Sequence, residues 1–206
     1  MMKRRQVLIA GMALSSCASP GTAEQGLTPT PSQMEGPYYP RPLPAEIDAD
    51  LVRGTDATRE AQGQRLTLTG RVMLADGTPL PGTLVEIWQT DAQGIYLHPR
   101  DPRVAQRDGA FQGYGRMQSD ADGRYTFRTI RPAHYVGRTA HIHLRAHPPG
   151  GGTALTTQIY FPDDPANARD GLLNRVRDPA QRQALMARLD RDASGVARAT
   201  FDVVLR

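Results

Sequence analysis

Short stretches in which apolar and polar residues alternate, separated by turns, run through the middle of this chain. Positions 66–74 place Leu66, Leu68 and Val72 on one face and Thr67, Thr69 and Arg71 on the other, the period of a half-buried strand. Similar runs predict strands over 83–89, 124–130, 140–146, 156–161 and 200–205, with a short run at 95–98 and another at 115–118 leading into a turn. Asp and Gly punctuate the turns at 75–79, 91–94 and 119–123. Residues 41–64 read as loop with at most a short helical turn, and 99–113 as a long Arg/Asp/Gly loop. One helix is predicted over 178–190, with Asp178 as its N-cap and Pro179 at its first position, in a structural role. The pattern describes an all-β domain over 33–206: a β-sandwich of mostly antiparallel strands with long loops and a short C-terminal helix.

Composition agrees with this. Seventeen prolines and twenty glycines in 206 residues suit a turn-rich sandwich better than a helical protein. The formal charge of +4 invites a nucleic-acid reading, which the distribution excludes. Lys3, Arg4 and Arg5 belong to a segment expected to be removed; without these three, 22 of the 25 bases face 21 acids, and the remaining arginines are scattered.

That segment is a basic start followed by the mostly apolar Gln6 to Ala13, too short to span a membrane. Residues 1–23 therefore read as an export signal, and the paired arginines before Gln6-Val7-Leu8 resemble a twin-arginine signal. Leu14-Ser15-Ser16-Cys17 resembles a lipoprotein box that would acylate the only cysteine; the competing cut follows Gly21-Thr22-Ala23. Either places the product outside the cytoplasm, periplasmic or held to the membrane through Cys17 alone. A single cysteine makes no internal disulfide. Residues 24–32, rich in Pro, Thr and Gly, read as a tether.

The candidate chemistry lies in Tyr135-Val136-Gly137-Arg138-Thr139-Ala140-His141-Ile142-His143. On a strand, His141 and His143 point to one face and Ile142 to the other, so both rings can share one metal; imidazole suits iron, copper, zinc or nickel. By itself such a pair is more often two half-exposed polar residues. The nearby oxygen donor is Tyr135. A phenol with an ordinary pKa of about 10 ligates as a phenolate only beside a strong positive charge, which favours ferric iron over zinc. His134, expected on the opposite face, and His147 carry no assigned role. Tyr114 and Tyr125 read as packing. Tyr38 and Tyr39 read as pinning an irregular segment to the core, with Tyr38 the candidate to line a pocket. Asp120-Ala121-Asp122-Gly123 begins like a calcium loop but lacks the later acidic ligand, so it reads as a hairpin turn.

Leu84-Val85-Glu86-Ile87-Trp88-Gln89, Gly94-Ile95-Tyr96, Asp120 through Pro132, Ala140-His141-Ile142-His143, Thr157-Gln158-Ile159-Tyr160-Phe161 and Asp163-Asp164-Pro165 together resemble the intradiol ring-cleavage dioxygenases, the protocatechuate 3,4- and catechol 1,2-dioxygenase group. The resemblance spans roughly 28–206. It implies non-haem Fe(III) held by Tyr96, Tyr135, His141 and His143, with O2 and a catechol-type small molecule as substrates and a muconate-type diacid as product. It further implies that Tyr135 is displaced by substrate, that Arg138 faces the reacting ring, that Gln158 stands behind that arginine, and that Trp88 packs near the iron. The chain departs from the family at Tyr135-Val136-Gly137, where Tyr-Pro-Trp is usual and the loop is longer; an aromatic wall of the pocket is missing, which bears on the substrate more than on the chemistry. The sequence shows no counterpart of the long N-terminal helical dimerisation segment of the catechol-cleaving branch, so assembly through the sandwich is the expectation for a homo-oligomer. The alternative is a transthyretin-like or carboxypeptidase-regulatory-like binding module, which shares the strand and turn pattern but gives no reason for two tyrosines and a His-x-His in these positions.

Overall fold

A computed structural model describes residues 26–45, 47–54 and 58–206. The export signal and Cys17 lie outside the described residues. Two sheets stack face to face. The first holds β1 (Arg65–Leu74), β4 (Arg124–Ile130), β7 (Arg188–Arg191) and β8 (Ala197–Thr200) in the order β4-β1-β8-β7, with β9 (Val203–Leu205) also paired to β1. The second holds β2 (Leu84–Trp88), β3 (Tyr114–Gln118), β5 (His141–His147) and β6 (Leu155–Tyr160) in the order β3-β2-β5-β6. Most pairings are antiparallel; β8 and β9 run parallel to β1. The all-β sandwich expected from the alternation is therefore present.

The core lies between the sheets. Leu66, Leu68, Val72 and Phe127 of one sheet meet Val85, Ile87, Ile142, Leu144 and Ile159 of the other, and all are buried. Each such side chain contributes on the order of 1.5–3 kcal/mol by leaving water. Because alternate residues point away from this core, the outer face of the second sheet receives Tyr114, Trp88, His143 and Gln158 as one row across four strands, and His141 beside Tyr160 in another. Strand β5 is buried over most of its length, which requires that its outer face also be covered. Residues 33–41 and the loop between β2 and β3 cover it.

Three expectations need correction. The helix α1 (Pro179–Gln183) starts as expected, with the Asp178 carboxylate accepting from Ala180 and Gln181, but it ends well before residue 190. Tyr160, on the open edge of β6, donates its N–H to Leu185 and accepts from Ala187. That edge draws residues 185–187 into extended chain, and the next residues form β7, a strand the helical pattern concealed. The run 95–98 is no strand either: Asp91 Oδ1 accepts from Gln93 and Ile95, and Asp101 Oδ2 accepts from Tyr96, so these two buried carboxylates hold it as a looped segment. The strand expected at 200–205 is broken at Phe201 and Asp202. There the Tyr125 hydroxyl donates to the Phe201 carbonyl at 2.6 Å, Asp202 accepts from the Arg71 N–H, and Gly70 passes so close to Phe201 that no side chain would fit.

From residue 26 on, the stretch read as a tether lies on the sandwich. Leu27 donates to Ala75, Thr30 to Val204 and Gln33 to Thr156. This docking carries Tyr38 and Tyr39 to the outer face of the second sheet.

Candidate metal centre on the outer face of the second sheet

Three different pieces of backbone supply four rings. His141 and His143 come from β5, Tyr96 from the loop after β2, and Tyr135 from a turn just before β5. Ring centroids are 4.9 Å apart for His141 and His143, 5.7 Å for Tyr135 and His141, 5.1 Å for Tyr96 and Tyr135, and 6.3 Å for Tyr96 and His143. The four close a ring around a common centre.

The turn carrying Tyr135 is tight. Val136 and Gly137 have φ of 38° and 74°, and the Arg138 N–H donates to the Tyr135 carbonyl at 2.8 Å. Positive φ at both central residues is the mark of a type I′ turn, for which Asn-Gly is the favoured pair and a β-branched residue is strained. This turn takes the place of the longer loop and the missing aromatic wall. It also fixes the distance along the chain between Tyr135 and Arg138. His134, expected on a strand, sits instead in irregular chain after Pro132, and its ring meets Asp164 at 2.6 Å. His147 meets the buried Glu86 at 2.6 Å, and Glu86 also accepts from Tyr39 and Tyr114. Tyr114 and Tyr125 are core residues.

The electrostatics of the four rings fit a cation. The Tyr96 hydroxyl, His141 Nε2 and His143 Nδ1 are all buried without a hydrogen-bond partner. Buried polar atoms are normally satisfied, so three orphans on converging rings mark a place where something else binds. His141 Nδ1 lies 2.7 Å from the Thr139 carbonyl, which can only accept. Nδ1 therefore carries the proton and Nε2 presents a lone pair, the arrangement of a metal-ligating histidine. Burial lowers the His141 pKa to about 4, and the neighbouring Arg138 pushes the same way, so the ring is neutral at pH 7. Burial likewise holds His143 well below its ordinary value, with His141 adding to it. Burial raises Tyr96 well above an ordinary phenol, and the Tyr135 phenol adds to that. Burial raises Tyr135 too, although Arg138 pulls it down. Two neutral imidazoles and two phenols that ionise only against a strong positive charge are a donor set suited to a trivalent metal. Trp88 Nε1 is also an orphan, but an indole nitrogen only donates and cannot ligate. Among the described residues, no group of three or more His, Cys, Asp and Glu offers a rival metal site.

The other residues singled out in the sequence join the same assembly. Trp88 stacks flat on His143, with centroids 4.8 Å apart and planes at 5°, and Tyr39 covers it edge-on at 5.0 Å. Trp88 thus backs a ring of the site and faces no open space. Tyr38 stacks on Tyr96 at 4.6 Å and meets Tyr135 edge-on at 5.8 Å. Arg138 Nη2 donates to Gln158 Oε1 at 2.7 Å. Sequence reasoning missed several partners: Asp170 and Tyr160 beside Arg138, Thr139 behind His141, and Gly36. Gly36 has φ of 76°, and a Cβ there would stand 3.3 Å from His143 Cε1, so glycine lets residues 33–41 close over the histidine. Gly36 also borders a cleft of about 430 Å³ lined by Glu35, Tyr39, Arg41, His98 and Arg100.

A family model described as dioxygenase matches residues 34–206. The protocatechuate 3,4-dioxygenase beta chain of Burkholderia cepacia is 38% identical over 170 residues, which cover 78% of this chain and 72% of that one. Among solved structures, the dioxygenase domain of a dioxygenase carbohydrate-binding protein fusion from Streptomyces sp. SirexAA-E superposes with a TM-score of 0.66 at 38% identity, covering 86% of this chain and 98% of that one. Catechol 1,2-dioxygenase from Acinetobacter sp. ADP1 gives 0.64 at 31% identity, covering 85% and 62%. A sandwich with this site, matched in this way, defines an oxidoreductase of the ring-cleaving kind. The chain belongs to the intradiol dioxygenase family. Members of this family generally depend on non-haem iron.

Proposed function

We propose that the chain uses non-haem Fe(III) and O2 to open a catechol-type ring between its two hydroxyl-bearing carbons, giving a muconate-type diacid. The observation that carries this reading is the set of buried, unpartnered donor atoms on Tyr96, His141 and His143, with Tyr135 completing the ring. Those four residues would hold the metal. When bound, ferric iron would supply a Lewis acid that the two oxygens of a diol can chelate and that draws electron density from the ring, so that ring carbon can meet O2.

The chain's own residues supply the rest. His141 is fixed by Thr139 and His143 by Trp88, so both stay in place. Tyr135 sits on a turn, where its ring can leave with little disturbance to the sheets. Burial raises its pKa, so as a phenolate its oxygen would be a strong base, able to carry away one proton of the diol. Arg138 commits Nε to Asp170 and Nη2 to Gln158 and Tyr160; among the described residues Nη1 has no partner. Its free end is available to stabilise negative charge building on the ring, an effect that is often the largest single contribution to catalysis. Tyr38, Tyr39 and residues 33–37 exclude water from the histidines. A non-catalytic binding module would leave three buried donors unexplained.

We also propose that the protein works after export, on the strength of its basic and then apolar start; cell fractionation with mass analysis of the mature N-terminus tests this. The catalytic reading is tested by oxygen uptake and product analysis with ferric-loaded protein and catechol. One O2 consumed per catechol with a colourless diacid product is expected; no uptake, or cleavage outside the diol, contradicts it.

A further inference from the structure

Behind Arg138 lies a carboxylate with no counterpart in the sequence reading. Asp170 is fully buried, in irregular chain between two 3-10 turns, far along the sequence from Arg138. Its Oδ2 accepts from Arg138 Nε at 2.7 Å and from the Thr139 N–H at 3.0 Å. Its Oδ1 accepts from the N–H groups of Leu172 at 3.0 Å and Leu173 at 2.9 Å. Two backbone donors thus lock one oxygen, and the other is aimed at the guanidinium.

The remaining contacts of Arg138 complete a frame. Nη2 donates to Gln158 Oε1 at 2.7 Å and to the Tyr160 hydroxyl at 3.2 Å. The Tyr160 hydroxyl lies 2.9 Å from Gln33 Oε1 and 3.1 Å from Gln158 Oε1. A guanidinium has five donors in a rigid plane. Nε and Nη2 are both committed here, and contacts at two of the three nitrogens fix both the position and the rotation of the plane. Among the described residues Nη1 is left without a partner. Asp170 also reaches the first histidine through one residue: the same Thr139 whose N–H it accepts offers its carbonyl to His141 Nδ1.

We infer that Asp170 is a positioning residue for the reaction proposed above: it orients Arg138 toward the reacting ring and ties that arginine to the segment that presents His141. The inference deepens the catalytic reading and rests on it for the kinetic consequence. The contact between Asp170 and Arg138 Nε does not depend on that reading. A salt bridge made only for folding would not need the oxygen that meets Arg138 to be held from behind by the locked partner oxygen. Nor would it need to share an acceptor between the arginine and the histidine-bearing backbone.

The test uses the whole protein and two independent readouts. In the 1H–15N spectrum of protein loaded with gallium(III), a diamagnetic ion of ferric charge, the Arg138 Nε–H should give a downfield, exchange-protected resonance, assigned by its absence in Arg138→Lys. Asp170→Asn should shift it upfield and expose it to exchange. If the chain takes up no trivalent metal, the catalytic reading fails, and the same resonance is sought in the metal-free protein. In the ferric enzyme, Asp170→Asn should lower kcat about a hundredfold, the scale of a misplacement near 1 Å, with KM and iron content within threefold of wild type. In an Arg138→Ala background the same substitution should change kcat less than threefold, because it acts through the arginine. An unshifted Nε–H resonance, or full and additive losses in the double variant, would overturn the inference. Should Asp170→Asn fail to fold, Arg138→Lys keeps the charge but cannot meet Asp170 and Gln158 together. It should lose as much kcat as Arg138→Ala within threefold, and a lysine variant near wild-type rate would overturn the inference equally.

Discussion

Gly94 joins the two tyrosines of the site. It lies two residues before Tyr96, has φ of 75°, and packs against the backbone that carries Tyr135. A Cβ at Gly94 would overlap the His134 carbonyl oxygen, stand 3.4 Å from the carbonyl carbon and lie 3.7 Å from Tyr135 Cβ. Gly94→Ala therefore does two things. It places an L side chain in the left-handed region, at about 1–2 kcal/mol. It also forces the segment of His134 and Tyr135 away from the loop of Tyr96, and overpacking of this kind costs about 1–3 kcal/mol. The sum is about 2–5 kcal/mol, and at about 2–4 °C per kcal/mol for a chain of this size Tm should fall by about 10 °C. Gly77→Ala isolates the first contribution, since Gly77 has φ of 86° and nothing within 4 Å of the position a Cβ would take. The measurements are thermal unfolding by circular dichroism and iron per chain after reconstitution. Gly94→Ala should unfold several degrees below Gly77→Ala and hold less iron, while Gly77→Ala should hold as much as wild type. Equal Tm values and equal iron in the two variants would refute the claim that the glycine sets the approach of the two tyrosines.

Tyr135→Phe should keep most of its iron, lose activity and shift its colour to the blue; an active variant with an unchanged spectrum would remove Tyr135 from the ligand set. Val136→Asn suits a type I′ turn with Gly137 and should raise stability by about 1 kcal/mol, seen as a higher Tm; an unchanged or lower Tm would contradict the strain assigned to that turn. Burial works against the charge on Glu86, but Tyr114, His147 and Tyr39 outweigh it and hold its pKa below the ordinary value. Its stabilisation is thus fully present above the unfolded value of about 4.3 and is lost as pH falls through the lower, folded value. Wild type should exceed Glu86→Gln in Tm at about pH 5.5, and the margin should close as pH falls below about 4; a margin that widens in acid would reverse the sign.

Residues whose period matched the pleat were legible from sequence, because burial of one face left a signal every second position. The strands at β1, β4, β5 and β6 were placed to within a residue or so at each end. His141 and His143 were readable for the same reason: their spacing alone put both rings on one face. Tyr96 was different. Its loop is held by Asp91 and Asp101, contacts with no period, so only the family resemblance pointed to it. Asp170 was invisible on both counts, since it meets Arg138 through a contact between distant loops. The false extension of α1 had another cause. Residues 184–190 keep a helical pattern, but the free edge of Tyr160 offers them backbone hydrogen bonds that outcompete the helix. Tertiary pairing overrode local propensity there.

The central claim is that Tyr96, Tyr135, His141 and His143 hold a ferric ion that a catechol can reach. It is tested most directly by the visible spectrum of the purified protein, recorded without O2 before and after adding catechol. A burgundy band from tyrosinate-to-ferric charge transfer, moving to longer wavelength on addition of catechol, is the predicted result. A protein that stays colourless after loading with ferric iron, or whose band ignores catechol, would contradict it.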